Sequence, residues 1–296
     1  MGIFDGFVRS MIEVGDTRIN VRVRGDGPPV LLLHGYPQNM ALWAHVAQML
    51  AADYTVVCTD LRGYGDSLGP SGSAVDAYSF RAMATDQVAV MENLGFDRFA
   101  VVGHDRGART AHRLTLDHPD RVTHLGVLDI MPTLDILMNV DRAAALAYWH
   151  WYFLATPAPF PETLIGADPD FFFETCISSI GATNVSNLDP DQVAEYRRTW
   201  RLPSVIHASC QDYRAAVTID LEHELADADR VVQCPTLAAW GSEGKMGRLF
   251  DLRAIWESRC AQLQIAKIPG GHFFVDEQPV LTAKMISDLL ETPGVR

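Results

Sequence analysis

The stretch Val101-Val102-Gly103-His104-Asp105-Arg106-Gly107-Ala108-Arg109 decides how the rest of the chain reads. The apolar run Phe99 to Val102 enters it as a buried strand, and Arg109 to His118 leaves it as a helix closed by Pro119. Between them, G-x-D-x-G has the spacing of an elbow that lifts one side chain out of a strained strand-to-helix bend, the glycines allowing the close approach. The lifted residue is Asp105, not a serine. A carboxylate attacking a saturated carbon forms an alkyl ester on the protein, which water must then hydrolyse. The motif therefore points to substitution at saturated carbon and away from acyl transfer.

Two arginines qualify that chemistry. Arg106 and Arg109 are three apart at the start of the following helix and share a face. They stand at the helix's positive end, where unpaired N–H groups already favour an anion, and guanidinium is the side chain best matched to a carboxylate. The chain as a whole carries a formal charge of −13, a field that repels anions, so a positive spot beside the nucleophile suits an anionic substrate. The competing reading pairs one or both arginines with surface carboxylates.

Working outward, Met11 to Val23 alternates like antiparallel strands at a sheet edge, and Pro29 to Leu33 is a continuous apolar run, the mark of a strand buried on both faces. It ends at His34-Gly35-Tyr36-Pro37-Gln38, a loop able to aim backbone N–H groups at the elbow. The Tyr36 and Arg106 amides are the candidate oxyanion donors, and His34 reads as a turn-stabilising residue. Met40 to Ala52 is helical in pattern, Tyr54 to Asp60 is a strand, Phe80 to Leu94 a helix and Val122 to Val127 a buried strand ending at Asp129. Alternating strands and helices of this kind make an α/β architecture, a mostly parallel sheet with helices on both faces, with active groups at the carboxyl ends of the strands.

From Thr133 to about His223 no buried strand is found, only aromatic-rich helical stretches at Ala144–Leu154, Phe171–Ser179 and Asp191–Arg201. The strand pattern resumes at Pro235–Trp240 and Leu263–Ile268, and Pro279–Leu290 closes the chain as a helix. The expected organisation is a core in two parts, 1–132 and 226–296, with an inserted helical cap over 133–225.

With 296 residues, 48% of them hydrophobic, the chain can bury a sizeable core. Its few basic residues form no stripe, which argues against nucleic acid, and no apolar run is long enough to span a membrane. The five cysteines are odd in number and lack a C-x-x-C pair. They read as reduced thiols of a cytoplasmic protein, with neither a disulfide frame nor a metal site.

The last strand delivers Gly270-Gly271-His272, a histidine in a glycine turn late in the chain, placed to activate water against an Asp105 ester. Its acid partner is Asp129 or Glu243. Asp129 is favoured because it terminates a buried strand, where an unpaired carboxylate is costly, whereas Glu243 lies in a glycine-flanked loop. In the cap, His150 and Trp151 supply two N–H donors and Tyr213 a hydroxyl, suited to a small leaving anion. The plainer reading is an aromatic helix face packed on the core.

Taken together, these segments resemble the haloacetate dehalogenase group of α/β-hydrolases, in particular the fluoroacetate dehalogenases. The resemblance rests on His34-Gly35-Tyr36-Pro37-Gln38, Gly103-His104-Asp105-Arg106-Gly107-Ala108-Arg109, Asp129-Ile130-Met131-Pro132, His150-Trp151, Tyr213-Arg214 and Gly271-His272, in order along nearly the whole chain. It implies Asp105 as nucleophile, His272 as base, Asp129 as its acid, Arg106 and Arg109 as carboxylate clamp, and His150, Trp151 and Tyr213 as halide donors. It further implies a small anionic halo acid as substrate, no cofactor or metal, and a homodimer. Two rivals stand beside it: an epoxide hydrolase using Asp105 with Tyr148, Tyr152 or Tyr213 as acid, and a hydrolase-fold ligand receptor without turnover.

Overall fold

The computed structural model describes residues 2–70, 74–181 and 183–294. Eight strands form one sheet: β1 (Val8–Val14), β2 (Thr17–Arg24), β3 (Pro29–Leu33), β4 (Thr55–Thr59), β5 (Phe99–His104), β6 (Val122–Leu128), β7 (Thr236–Gly241) and β8 (Leu263–Ile268). Their order is β1-β2-β4-β3-β5-β6-β7-β8. The β1–β2 and β2–β4 pairs are antiparallel and all the others parallel.

The continuous apolar runs are explained by two cores, one on each face of this sheet. Successive side chains of a strand point to opposite faces. Leu31, Leu33, Val57 and Val101 therefore join Met83, Ala84 and Leu114 in one cluster. Val30, Leu32, Val56 and Val102 join Val46, Leu50, Ile286 and Leu289 in the other. The first group of partners comes from α2 (Phe80–Asn93) and α3 (Arg106–Asp117), the second from α1 (Ala44–Leu50) and the last helix of the chain. Every residue of β4, β5 and β7 is buried, as two-sided packing requires. In β8, at the edge, half-exposed and exposed positions interrupt the run.

Between β6 and β7 the described residues form a run of helices, α4 (Thr133–Met138), α5 (Arg142–Ala147), α6 (Trp149–Leu154), α7 (Phe160–Ala167), α8 (Pro169–Gly181), α9 (Pro190–Trp200), α10 (Pro203–Ala216) and α11 (Ile219–Ala226), with one short 3-10 turn and an isolated bridge from Val232 to Cys260. Their buried residues Leu154, Ile165, Phe173, Trp200 and Tyr213 are continuous with the first core cluster. The chain then completes the sheet with α12 (Met246–Leu249), α13 (Leu252–Glu257), α14 (Phe274–Glu277) and α15 (Pro279–Leu290).

Two local differences from the sequence expectations have physical causes. The helix after the elbow starts at Arg106, not Arg109. Asp105 turns the chain within one residue, at φ 49° and ψ −114°, and its carbonyl accepts from the Ala108 and Arg109 amides. The stretch Ala144–Leu154 is not one helix but two, broken at Tyr148 (φ −114°, ψ 35°). Beyond the break α6 buries His150, Trp151 and Leu154 and leaves Tyr152 41% exposed.

Candidate active site

The elbow explains its own glycines. A Cβ on Gly103 would lie 2.3 Å from the Gly107 backbone, and one on Gly107 would lie 2.3 Å from the Leu33 carbonyl at the end of β3. Strand, turn and helix can approach this closely only without side chains there. Asp105 is thereby pushed out at the carboxyl end of β5, where Gly35 leaves it room: a Cβ on Gly35 would stand 2.4 Å from the Asp105 Cβ.

Three other segments converge on that carboxylate. The Tyr36 amide donates to Asp105 Oδ1 at 2.8 Å. His272, from the turn after β8, places Nε2 3.9 Å from Asp105 Oδ2. Its Nδ1 donates to Asp129 Oδ2 at 2.5 Å, while the Gly241 amide donates to Asp129 Oδ1 at 3.1 Å. Glu243 is exposed, so of the two acid candidates the structure brings Asp129 to the histidine. His104, beside Asp105, donates through Nε2 to the His272 carbonyl at 2.8 Å and pins the His272 turn. Arg106 is the first residue of α3, so its amide has no acceptor within the helix.

The charges are arranged to match. Burial alone would raise the Asp105 carboxyl, but the His272 and Arg106 charges and the Tyr36 amide hold it down at about 2. Burial would lower His272, yet the hydrogen bond and charge of Asp129 and the charge of Asp105 raise it above its ordinary 6.5. His34 is structural, as read: its Nε2 accepts from the Leu61 amide at 3.0 Å.

The arginines are not equivalent. Arg106 is fully buried, and its Nε reaches Asp212 Oδ2 at 2.9 Å while Nη2 bonds Asp212 Oδ1 and, at 3.0 Å, the Asp212 carbonyl. Tyr64 also donates to Asp212 Oδ2, at 2.7 Å. The guanidinium lies 4.3 Å from the ring centre of Tyr213 and 4.5 Å from that of Phe80. Its partner is thus a buried carboxylate, not a surface one, and only Nη1 has no acceptor. Among the described residues Arg109 has no carboxylate partner; Nη1 donates to the Met131 carbonyl and Thr133 Oγ1, and Nε finds no acceptor there. Burial and the nearby Arg106 charge lower it to about 10, so it stays charged at neutral pH.

Arg109, Tyr36, Asp105, His150, Trp151 and His272 line one small pocket together with Tyr148, Ile136, Ile180 and Met246. Burial lowers the His150 imidazole to about 3, so it is neutral; it stacks on Tyr36 with ring centres 5.9 Å apart, and its Nδ1 has no partner. Tyr213 packs edge-on against Tyr36, His150 and Trp151, its hydroxyl buried without a partner. Sequence reasoning did not single out Asp212, Tyr64, Ile136, Ile180 or Met246. For Asp212 the only signal was its place directly before Tyr213. A wider groove between the N-terminal residues and α9, lined by Phe4, Arg22, Asp60 and Glu195, holds none of these groups.

Residues 28–279 match the family model described as the alpha/beta hydrolase fold. A fluoroacetate dehalogenase from Burkholderia sp is 55% identical over 289 residues, 97% of this chain and 95% of that one. The chain belongs to the α/β-hydrolases, on their fluoroacetate dehalogenase branch. A soluble epoxide hydrolase from Corynebacterium sp. (strain C12) is 31% identical over 88% of this chain and 90% of its own. The crystal structure of a protein assigned to the alpha/beta hydrolases, from Nostoc sp PCC 7120, superposes with a TM-score of 0.95 at 46% identity, covering 98% and 99% of the two chains. In this α/β-hydrolase, Asp105 and Asp129 are the non-glycine residues at positive φ among those described (49° and 53°).

Proposed function

We propose that the protein hydrolyses haloacetates, 2-halo acids of the fluoroacetate type, to 2-hydroxy acids through an ester on Asp105. The observation that carries this reading is the set of buried donors without protein acceptors around an ionised carboxylate: Arg106 Nη1, Arg109 Nε and the Tyr213 hydroxyl. A buried donor left unpaired costs about 1–3 kcal/mol, and a small molecule bearing a carboxylate and a halide would supply the missing acceptors.

In the first step an Asp105 oxygen attacks the halogen-bearing carbon from the side opposite the halide. The C–O bond forms as the carbon–halogen bond breaks, and the halide leaves with the electron pair. Arg109 and the free edge of Arg106 hold the substrate carboxylate. Fluoride leaves poorly but accepts hydrogen bonds strongly, and donors from His150, Trp151 and Tyr213 fixed in a dry cavity stabilise it without reorganising. In the second step His272 takes a proton from water, whose oxygen adds to the Asp105 carboxyl carbon. The oxyanion is held by the Tyr36 and Arg106 amides. Collapse breaks the ester, His272 returns the proton to the departing alkoxide, and the 2-hydroxy acid leaves. The five cysteines, buried and unpaired, support a cytoplasmic setting.

The test is halide release from fluoroacetate and chloroacetate by the wild type and by Asp105→Ala, with styrene oxide as a third substrate. Both halides are expected from the wild type and neither from the variant. In labelled water the label should enter Asp105 before it reaches product in later turnovers. Opening of styrene oxide without halide release would overturn this reading in favour of an epoxide hydrolase. Of the three tyrosines offered as alternative acids for that rival, Tyr152 is 41% exposed and does not line the pocket.

A further inference from the structure

Close to the site lies a buried carboxylate that the mechanism above does not use. Asp276 stands four residues after His272, in α14, and is 8% exposed. Its Oδ2 accepts from Gln38 Nε2 at 2.7 Å and its Oδ1 accepts from the Tyr196 hydroxyl, also at 2.7 Å. Among the described residues no lysine or arginine pairs with it. A carboxylate buried without a cation is expensive, and burial raises this one to about 7 against the pull of its two donors.

The three partners belong to three separate segments. Gln38 closes the turn that presents the Tyr36 amide, its own amide donating to the Gly35 carbonyl at 3.0 Å. Asp276 closes the turn that presents His272, its amide donating to the Phe273 carbonyl at 3.0 Å. Tyr196 is on α9 and is fully buried. Asn39 separately binds the same loop to α9, through the Glu195 carbonyl at 3.2 Å and Thr199 Oγ1 at 3.0 Å. The loop therefore does not need Asp276 to hold the cap. Among the described residues, Asp276 alone joins the Tyr36 turn to the His272 turn by a direct side-chain bond.

We propose that Asp276 is a positioning residue for ester hydrolysis: its carboxylate holds the His272 turn against the Tyr36 turn, with Tyr196 closing the joint from the cap. The proposal rests on the two-step reading given above. The base and the amide oxyanion donor act together only in the second step, so loosening their relative placement should slow hydrolysis of the ester and leave its formation untouched. Misplacement of reacting groups by about 1 Å costs on the order of 100-fold in rate.

The experiment compares Asp276→Asn and Tyr196→Phe with the wild type in rapid-mixing halide release from chloroacetate, together with intact-protein mass. For Asp276→Asn a burst of one halide per protein at the wild-type rate is expected, followed by turnover roughly 10- to 100-fold slower and accumulation of the ester mass. Tyr196→Phe keeps the Gln38–Asp276 bond, removes the 3.3 Å bond from Gln38 Nε2 to the Tyr196 hydroxyl, and should show the same split at several-fold. It also serves if the first variant does not fold. Equal loss of burst and turnover, or unchanged turnover, overturns the proposal.

A readout independent of turnover is the low-field proton signal of His272 Nδ1–H bonded to Asp129. It should shift and exchange faster in either variant, and an unchanged signal overturns the positioning role. Absence of halide release by the wild type would instead strike the dehalogenase reading, leaving the signal to decide on Asp276.

Discussion

Asp105 and Asp129 hold strained backbone at the ends of adjacent strands, a condition that costs about 1–3 kcal/mol per residue and persists where surrounding structure enforces it. For Asp129 the return is a fixed carboxylate facing His272. Because Asp129 raises the imidazole above 6.5 and hydrolysis needs that imidazole neutral, turnover limited by the second step should fall as pH drops through a value above 6.5. In Asp129→Asn the raising influence is gone, so the acid limb should move to lower pH. The plateau rate should fall by roughly 10²- to 10⁴-fold, the range of a misdirected general base. Steady-state rates between pH 5 and 9 check both, and an acid limb that stays in place would rule out the charge of Asp129 as its cause. The exposed turn position of Asp105 could be read from the sequence because glycine spacing and an apolar strand leave few conformations for residue 105. The positive φ of Asp129 could not, since no glycine pattern flanks it.

At the scale of elements, α3 meets two partners that treat its arginines differently. Arg106 is joined to Asp212 of α10 with both groups fully buried, whereas Arg109 meets a carbonyl, a hydroxyl and, at 4.7 Å, the Trp151 ring. Removing one member of a buried ion pair strands the other charge, at a cost of about 3–5 kcal/mol. Arg106→Ala should therefore lower the urea midpoint sharply as well as raise KM for chloroacetate. Arg109→Ala should raise KM comparably while costing only about 1–3 kcal/mol of stability, the value of its hydrogen bonds. Equal destabilisation by the two would mean that the Asp212 pair contributes nothing special. The arginines themselves were legible from their spacing beside the elbow. Asp212 was not, because it lies 106 positions away and only the packing of α10 over α3 brings it there. Helices α4, α7, α10 and α11 escaped for a related reason: short or mixed in polarity, they are fixed by contacts with one another and with the sheet edge more than by their own periodicity. The central strands, buried on both faces, announce themselves as apolar runs in any context.

Over the whole molecule, the sheet order and the two cores follow from alternation along those runs, and the position of the site follows from the parallel direction of β3, β5, β6, β7 and β8, whose carboxyl ends all lie at one edge. Charge is the property of the whole chain that bears on function there. A net −13 repels an anionic substrate at long range, while on the proposed reading the buried Arg109 and Arg106 attract it only at short range. Screening shortens the long-range field first: the Debye length falls from about 30 Å at 0.01 M salt to about 8 Å at 0.15 M. The buried arginines are shielded from that salt. For chloroacetate, kcat/KM should therefore rise over this range, by roughly two- to fivefold if approach is slowed by the net field, with kcat unchanged. Replacing several exposed carboxylates remote from the cavity by amides should flatten the rise. If kcat/KM instead falls with salt, the local field of the arginines must extend beyond the cavity mouth and outweigh the rest of the surface, and the acidic composition would have no part in substrate capture.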